Sequence, residues 1–302
     1  MTQPSPSAPA SSVMSFMHEV TQQIYPTSTL YVVATPIGNA GDITLRALHV
    51  LAIADAVACE DTRNTAHLLT RYGLSKNLIA AHQHNEREVA DKLIARLQAG
   101  ERIALVSDAG TPAVSDPGAR IVDAVRSAGL RVMPLPGASA AVSALSASGL
   151  LCDRFYFVGF LPAKARQRDT LLSGLRGMAA TLVFYEAPHR IIEAVDALAS
   201  AFGPSRQIVF ARELTKLFEE IHRCPLSEAA AWLKADAHRE KGEFVILLEG
   251  AAAETDADSA AADRILAILL AECPVKQAAA LAAQITGQKK NALYERALQL
   301  KG

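Results

Sequence analysis

The sequence predicts an α/β protein: two α/β domains in series, followed by a small C-terminal helical module of helix-turn-helix type. Short apolar, β-branched runs alternate with stretches of helical hydrophobic spacing from residue 29 to about residue 250, the pattern of βαβ units around a mostly parallel sheet. Half of the residues are hydrophobic but only 5% are aromatic, and the apolar content is Ala, Leu and Val. That balance suits helices and buried strands more than an all-β sandwich. An Ala/Asp-rich stretch then reads as a linker, and the remaining residues read as short helices broken at Pro274 and Gly287.

Residues 1–28, rich in Ser, Pro and Ala, lack a pattern that would bury a face and read as a disordered extension. Order is expected from residue 29, where Leu30-Tyr31-Val32-Val33-Ala34 has the look of a strand buried on both faces. Pro36, Gly38 and Gly41 break it, and Asp42 or Thr44 caps the next helix. Ala56–Cys59, Ile103–Val106 and Val132–Leu135 are further strands, with a helix marked by Val89, Leu93, Ile94 and Leu97 and ended by Gly100. A second α/β domain is expected over 151–250. Its strands are Phe155–Val158, Leu182–Tyr185, Ile208–Phe210 and Phe244–Leu248, with a basic helix start at Lys164, Arg166 and Arg168. Another helix carries Ile191, Ile192, Val195, Leu198 and Phe202. Residues 251–302 form the linker and helical module, whose second helix begins at Lys289 and Lys290.

The 302 residues carry 30 Lys and Arg against 31 Asp and Glu, so no global field draws the chain to nucleic acid and any RNA contact rests on local basic patches. The four cysteines lie far apart with no CxxC pair, which argues against a disulfide framework or zinc site and for a reducing cytoplasm. His82 and His84, two apart with no third ligand nearby, read as loop residues, and no metal is expected. No apolar run reaches the ~20 residues that span a bilayer, and the N-terminus lacks the basic and apolar regions of a secretory signal.

Neither GxGxxG nor GxxxxGK[ST] is present. Instead, three loops of small and polar residues each follow a strand: Thr35–Asn39, Ser107–Gly118 and Pro136–Ala140. Ligands in an open parallel sheet bind beyond the strands' carboxyl ends, where small residues let backbone groups approach a ligand closely. One such loop would be an ordinary turn; three after successive strands point to a binding site.

These loops and the segments between them carry a resemblance. TPIGN and GDIT, CEDTR (Cys59–Arg63), SDAGTPAVSDPG and PGASA resemble the tetrapyrrole methylase superfamily, and within it the ribosomal RNA small subunit methyltransferase I family. The likeness continues through Phe157–Pro162, Tyr185–Arg190, Ala211–Lys216 and Gly242–Phe244. It implies two α/β domains of the tetrapyrrole methylase type with S-adenosyl-L-methionine folded into the cleft between them, and a homodimer. It further implies 2'-O-ribose methylation of cytidine 1402 in 16S rRNA, at the decoding centre of the small ribosomal subunit, in the cytoplasm. Carried over by motif, the cofactor residues are Pro36, Ile37 and Gly38; Asp108, Gly110, Thr111, Pro112, Ala113 and Val114; Ser139 and Ala140; and Tyr185 and Arg212 from the second domain. Thr111 stands where many relatives have Asp, which shifts weight onto backbone groups and Asp108.

A ribose hydroxyl is a poor nucleophile, and a general base contributes ~10²–10⁴-fold. Glu60, Asp61, Glu186, His189 and Glu213 are the candidates. Arg63, Arg190, Lys216, the Lys164–Arg166–Arg168 cluster and the Lys289–Lys290 pair are candidates for phosphate contacts. An Arg–carboxylate network tying the domains together is the alternative role for the charged residues near the cleft. A tetrapyrrole C-methyltransferase and a non-catalytic ribosome-binding protein are the competing functions. The CEDTR and YEAPHR segments and the helical module argue against the first, and the intact cofactor loops against the second.

Overall fold

The computed structural model describes residues 17–151, 153–251 and 255–301. The first sheet joins β1 (Thr29–Val33), β2 (Ala56–Cys59), β3 (Leu78–Ala80), β4 (Arg102–Val106) and β5 (Arg131–Leu135) in the order β3-β2-β4-β1-β5, all parallel. Between them run α1 (Leu45–Ile53), α2 (Thr62–Arg71), α3 (Glu86–Gln98) and α4 (Ala119–Ser127). Thr44 caps α1 by accepting from the Ala47 amide. Both sheet faces are covered: Tyr31, Val33, Val57 and Ala104 pack under α1, while Leu30, Ala58, Ile103 and Leu105 pack under α3 and α4. This two-sided burial is why these strands are continuous apolar runs.

α5 (Ala140–Ala147) leads into the second lobe and covers its sheet, its Ala141 and Ala144 packing with Val183, Val209, Val245 and Leu247. That sheet joins β6 (Phe155–Phe160), β7 (Thr181–Glu186), β8 (Gln207–Arg212), β9 (Glu220–Pro225) and β10 (Phe244–Leu248) in the order β6-β7-β10-β8-β9. The α/β expectation holds, but only β6 and β7 pair parallel; β10 is antiparallel to β7 and β8, and β8 to β9. Helices α6 (Ala165–Leu175), α7 (Ile191–Phe202) and α8 (Leu226–Lys234) cover the other face, with Phe184, Phe210 and Ile246 among the core side chains.

Two boundaries differ from expectation. Residues 1–16 lie outside the described residues, but 17–28 are anchored at two points: Met17–Thr21 form a helical turn, and Val20 and Tyr25 are buried while most of the segment is exposed. The Tyr25 ring sits 4.7 Å from His49, its carbonyl accepts from Arg102 Nε at 3.0 Å, and the Pro26 carbonyl accepts from the Tyr31 hydroxyl at 2.7 Å. Val20 and Tyr25 are enough to anchor residues 17–28, which have no hydrophobic periodicity of their own. The linker is also shorter than expected. Residues 252–254 lie outside the described set, and α9 already begins at Thr255, running to Glu272.

α9, α10 (Val275–Thr286) and α11 (Lys290–Lys301) pack on Leu266, Ala279, Ala282, Leu293 and Ala297. Gly287 ends α10 in the left-handed conformation at φ 72°, which a side chain would oppose. Arg296 on α11 grips Asp263 on α9 through two bonds of 2.6 and 2.7 Å. Among the described residues no helix is long and apolar enough to cross a membrane.

Candidate active site

The three loops do converge. The backbone of Thr35 pairs antiparallel with Gly110 (2.8 and 3.0 Å), and its hydroxyl donates to the Ser107 carbonyl at 3.1 Å. The Thr111 hydroxyl donates to the Ala138 carbonyl at 3.1 Å, fastening the β4 loop to the β5 loop. Across from them stand the ends of β7, β8 and β10, and between the lobes lies a cleft of about 380 Å³. That volume is within the range that takes a nucleoside-sized ligand.

Of the expected cofactor residues, Ile37, Asp108, Gly110, Thr111, Val114, Ser139, Ala140 and Tyr185 line this cleft, as does Glu186. Pro36, Gly38, Pro112, Ala113 and Arg212 do not. The reasons are local. Gly38 faces the second lobe, where a Cβ would stand 2.6 Å from Lys216 Cγ. Ala113, like Ser115, holds a left-handed backbone at φ 66°, strain of ~1–3 kcal/mol that shapes the loop. Arg212 is buried with its guanidinium directed at the carbonyls of Lys241, His238 and Phe218, so it ties down the β8–β10 connection.

The floor comes from outside the three loops: Ala211 on β8 and Leu214 just after it, Phe244 and Val245 on β10, and Phe160 on β6. All but Val245 fall in segments that carry the resemblance, though none was expected at the cofactor. Tyr185 bridges the lobes by accepting from the Ala141 amide at 3.2 Å, at the N-terminus of α5, and packs edge-on against Phe157 and Phe160. Burial, above all, raises its hydroxyl pKa.

The carboxylates separate by environment. Asp61 caps α2, accepting from the Arg63 amide at 2.8 Å and from the Arg63 guanidinium at 2.7 and 3.2 Å. The hydrogen bond from the Arg63 side chain leads in lowering its carboxyl to about 2, which leaves it a poor base. Glu213 accepts from Lys216 Nζ at 2.8 Å and from the Glu243 amide at 2.9 Å. Burial pushes its carboxyl up, but these bonds and the nearby cations hold it below the usual range. Glu186 is fully buried; its Oε1 accepts from the Ala187 amide, and its Oε2 has no partner in the protein. Burial raises its pKa, as burial and then Asp108 raise that of Glu60. His189 is exposed on the turn after β7. Asp116, which lines the cleft, is pushed to about 6 by burial first and then by Glu60 and Asp108.

The basic residues divide likewise. Lys164, Arg166, Lys289 and Lys290 are exposed, the last two at the start of α11 as expected. Arg63 is exposed but paired with Asp61. Three others are not free for phosphate. Arg168 is buried and paired with Glu193 at 2.8 Å, Arg190 donates to the Leu161 carbonyl at 2.6 Å, and Lys216 lies between Glu213 and Glu243 at 2.8 Å from each. All of these partners, with Glu186 beside Arg190 at 3.4 Å, lie in the second lobe, so the three cations brace that lobe internally and do not tie the two domains together.

Two parallel-to-mixed sheet lobes with a cleft built on the first sheet's carboxyl-end loops are the architecture of the tetrapyrrole methylases, and the family model for Tetrapyrrole (Corrin/Porphyrin) Methylases matches residues 29–230. Solved structures share the fold. The methyltransferase CobJ superposes with TM-score 0.56 at 21% identity, covering 74% of this chain and 94% of its own. Uroporphyrin-III C-methyl transferase from Thermus thermophilus complexed with S-adenyl homocysteine gives 0.51 at 20%, covering 74% and 97%. A second model, the C-terminal HTH domain of the same methyltransferase I family, matches residues 256–301. The ribosomal RNA small subunit methyltransferase I of Escherichia coli O157:H7 is 52% identical over 90% of this chain and 96% of its own length, and that of Pseudomonas aeruginosa 50% identical over 91% and 98%. The chain belongs to the ribosomal RNA small subunit methyltransferase I family of tetrapyrrole methylases.

Proposed function

We propose that this chain transfers the methyl group of S-adenosyl-L-methionine to the 2'-oxygen of cytidine 1402 in 16S rRNA of the small ribosomal subunit, acting in the cytoplasm as a homodimer. The observation that carries the reading is the interlobe cleft, where three backbone-rich loops meet an apolar floor in a chain of this family.

The cleft suits the cofactor chemically. Leu214, Phe244 and Val245 offer apolar contact, the Ala109–Thr111 backbone offers polar groups at close range, and Gly110 keeps that approach open at φ 77°. Asp108 accepts from the Asp61 amide at 3.3 Å and from Asn64 Nδ2 at 2.8 Å, which orients it while leaving lone pairs for a ligand donor. Glu186 Oε2, buried without a partner, is a further acceptor that a ligand N–H or O–H would satisfy. Bound here, S-adenosyl-L-methionine supplies an already activated sulfonium methyl group. The protein's share is alignment of the nucleophile, worth ~7–11 kcal/mol, and exclusion of water between the lobes.

RNA engagement is assigned to the exposed cations, Lys164 and Arg166 at α6 and Lys289 and Lys290 at the start of α11, where the free backbone amides of a helix N-terminus add to the attraction for phosphate. The 251–302 segment then acts as the docking module on a catalytic body formed by domains 29–150 and 151–250. Val142, Leu151, Phe155 and Tyr156 are exposed apolar side chains that a dimer contact would cover. Ala140→Leu tests the cofactor site: a branched side chain projecting into the cleft is expected to weaken S-adenosyl-L-methionine binding strongly in calorimetry without lowering Tm. Unchanged affinity would remove the assignment.

A further inference from the structure

We propose that Asp116 is the catalytic base of the cleft, taking the proton of the ribose 2'-hydroxyl as its oxygen accepts the methyl group. The inference rests on the methyl transfer proposed above and assigns a residue to its proton step.

Position comes first. Asp116 lies on the Ser107–Gly118 loop and lines the cleft beside Asp108, Val114 and Tyr185. The loop is held rather than free. Ala113 and Ser115 sit in the left-handed region, and a Cβ on Gly159 would stand 2.9 Å from Ser115 Oγ. The Gly118 amide donates at 2.7 Å to the buried carboxylate of Glu86. A base must be fixed to a fraction of an ångström to work, and strained residues flanking a functional carboxylate are a means of fixing it.

Availability comes second. Among the described residues no Lys or Arg forms an ion pair with Asp116, whereas Asp61 and Glu213 are both engaged by cations. The Ser107 side chain stands beside it and favours the ionised form, while its hydroxyl is directed at the Ala109 and Gly110 carbonyls. The charged or titratable groups facing it are Glu60 at the end of β2, Asp108 on its own loop and Tyr185 across the cleft, with Glu86 anchoring the loop's end. All can carry negative charge and none positive. Partial burial first, then Glu60 and Asp108, bring its carboxyl to about 6, so at neutral pH it is ionised yet more basic than an ordinary aspartate, the compromise general-base catalysis favours.

The step balances within the site. The 2'-oxygen forms the O–CH3 bond, the S–CH3 bond breaks with its electron pair remaining on sulfur, and the hydroxyl proton passes to an Asp116 carboxylate oxygen and then to solvent. Because the carboxylate is the active form, turnover rises as pH rises through about 6.

The test compares the full-length wild type, Asp116→Asn and Glu60→Gln on small ribosomal subunits. Asp116→Asn is expected to lower kcat by ~10²–10⁴-fold while S-adenosyl-L-methionine affinity, measured by calorimetry, stays unchanged. The acidic limb of the wild-type kcat profile near pH 6 disappears from the residual activity. In the free protein, a carboxyl 13C resonance titrating near 6 is lost in Asp116→Asn and moves to lower pH in Glu60→Gln. Wild-type kcat in Asp116→Asn overturns the assignment. Loss of cofactor affinity in step with activity also overturns it, making Asp116 a cofactor ligand. A wild type that transfers no methyl to the subunit, with cofactor bound, fails the methyl-transfer reading itself.

Discussion

Gly38 offers a sharp test of how the two lobes are joined. A Cβ there would lie 2.6 Å from Lys216 Cγ, 2.9 Å from Cε and 3.0 Å from Thr215 Oγ1. An ordinary carbon–carbon contact is ~3.5–4.0 Å, so Gly38→Ala displaces the Lys216 stem by about 1 Å, dragging an ammonium group bonded at 2.8 Å to both Glu213 and Glu243. Overpacking of this kind costs ~1–3 kcal/mol, or roughly 2–4 °C in Tm per kcal/mol. Lys216→Ala alone removes two partly exposed pairs, ~0.2–1 kcal/mol each. The double variant removes the two nearest obstructing atoms, so its loss should fall short of the sum of the single losses by about 1 kcal/mol or more. Urea unfolding of the four proteins gives the cycle directly. Additive losses would show that Gly38 does not owe its identity to Lys216, and the cofactor-approach role first expected for it would return.

Removing residues 1–16 should leave Tm and activity unchanged, whereas removing 1–28 also takes Val20 and Tyr25 from the first lobe's core. That longer truncation should lower Tm by several degrees at about 2–4 kcal/mol; equal melting of the two truncations would contradict the packing of Tyr25. Arg168→Ala, which leaves Glu193 without its partner and opens a buried site, should destabilise the second lobe, while Lys164→Ala/Arg166→Ala should instead weaken subunit binding with little change in Tm. Lys289→Ala/Lys290→Ala should flatten the salt dependence of subunit binding by about one to two units of slope, and deletion of 251–302 should weaken binding further with cofactor affinity intact. Asp116→Asn should also change stability with pH in a defined direction. The folded-state pKa is raised to about 6 from 3.8, so the native protein binds the proton more tightly than the unfolded chain and loses stability as pH rises through that window. The variant should therefore melt higher than wild type at pH 8 and not at pH 4; a gain of equal size at both would place its origin elsewhere.

Most of the first lobe was legible because its strands are buried on both faces and announce themselves as apolar runs. β3, three half-covered or exposed residues, carries no such run. β9 reads Glu-Ile-His-Arg-Cys-Pro at the sheet's edge, paired on one side only, so solvent admits polar residues that disguise the strand. The antiparallel pairing of β10 was hidden for another reason: burial dictates composition, and a strand buried on both faces reads alike in either direction. Among the basic residues, Lys164, Arg166 and Arg168 look equivalent in sequence, but helix geometry turns Arg168 inward to Glu193. Arg212 was misread because its motif marks a place beside the cleft, not the direction of its guanidinium. Asp116 sits within a loop that was recognised, yet its distinction depends on burial in the cleft and on Glu60, which only the fold brings to it.

The central claim, that the interlobe cleft methylates a ribose in small-subunit rRNA, is tested most directly by incubating the purified chain with methyl-labelled S-adenosyl-L-methionine and small ribosomal subunits that lack the modification, then hydrolysing the rRNA in alkali. A 2'-O-methyl group blocks cleavage of the adjoining phosphodiester, so the expected result is label recovered in a single alkali-resistant dinucleotide containing cytidine 1402. It should be absent with Ala140→Leu at limiting cofactor. Label appearing only in mononucleotides, or no transfer by a protein that binds the cofactor, would contradict the account.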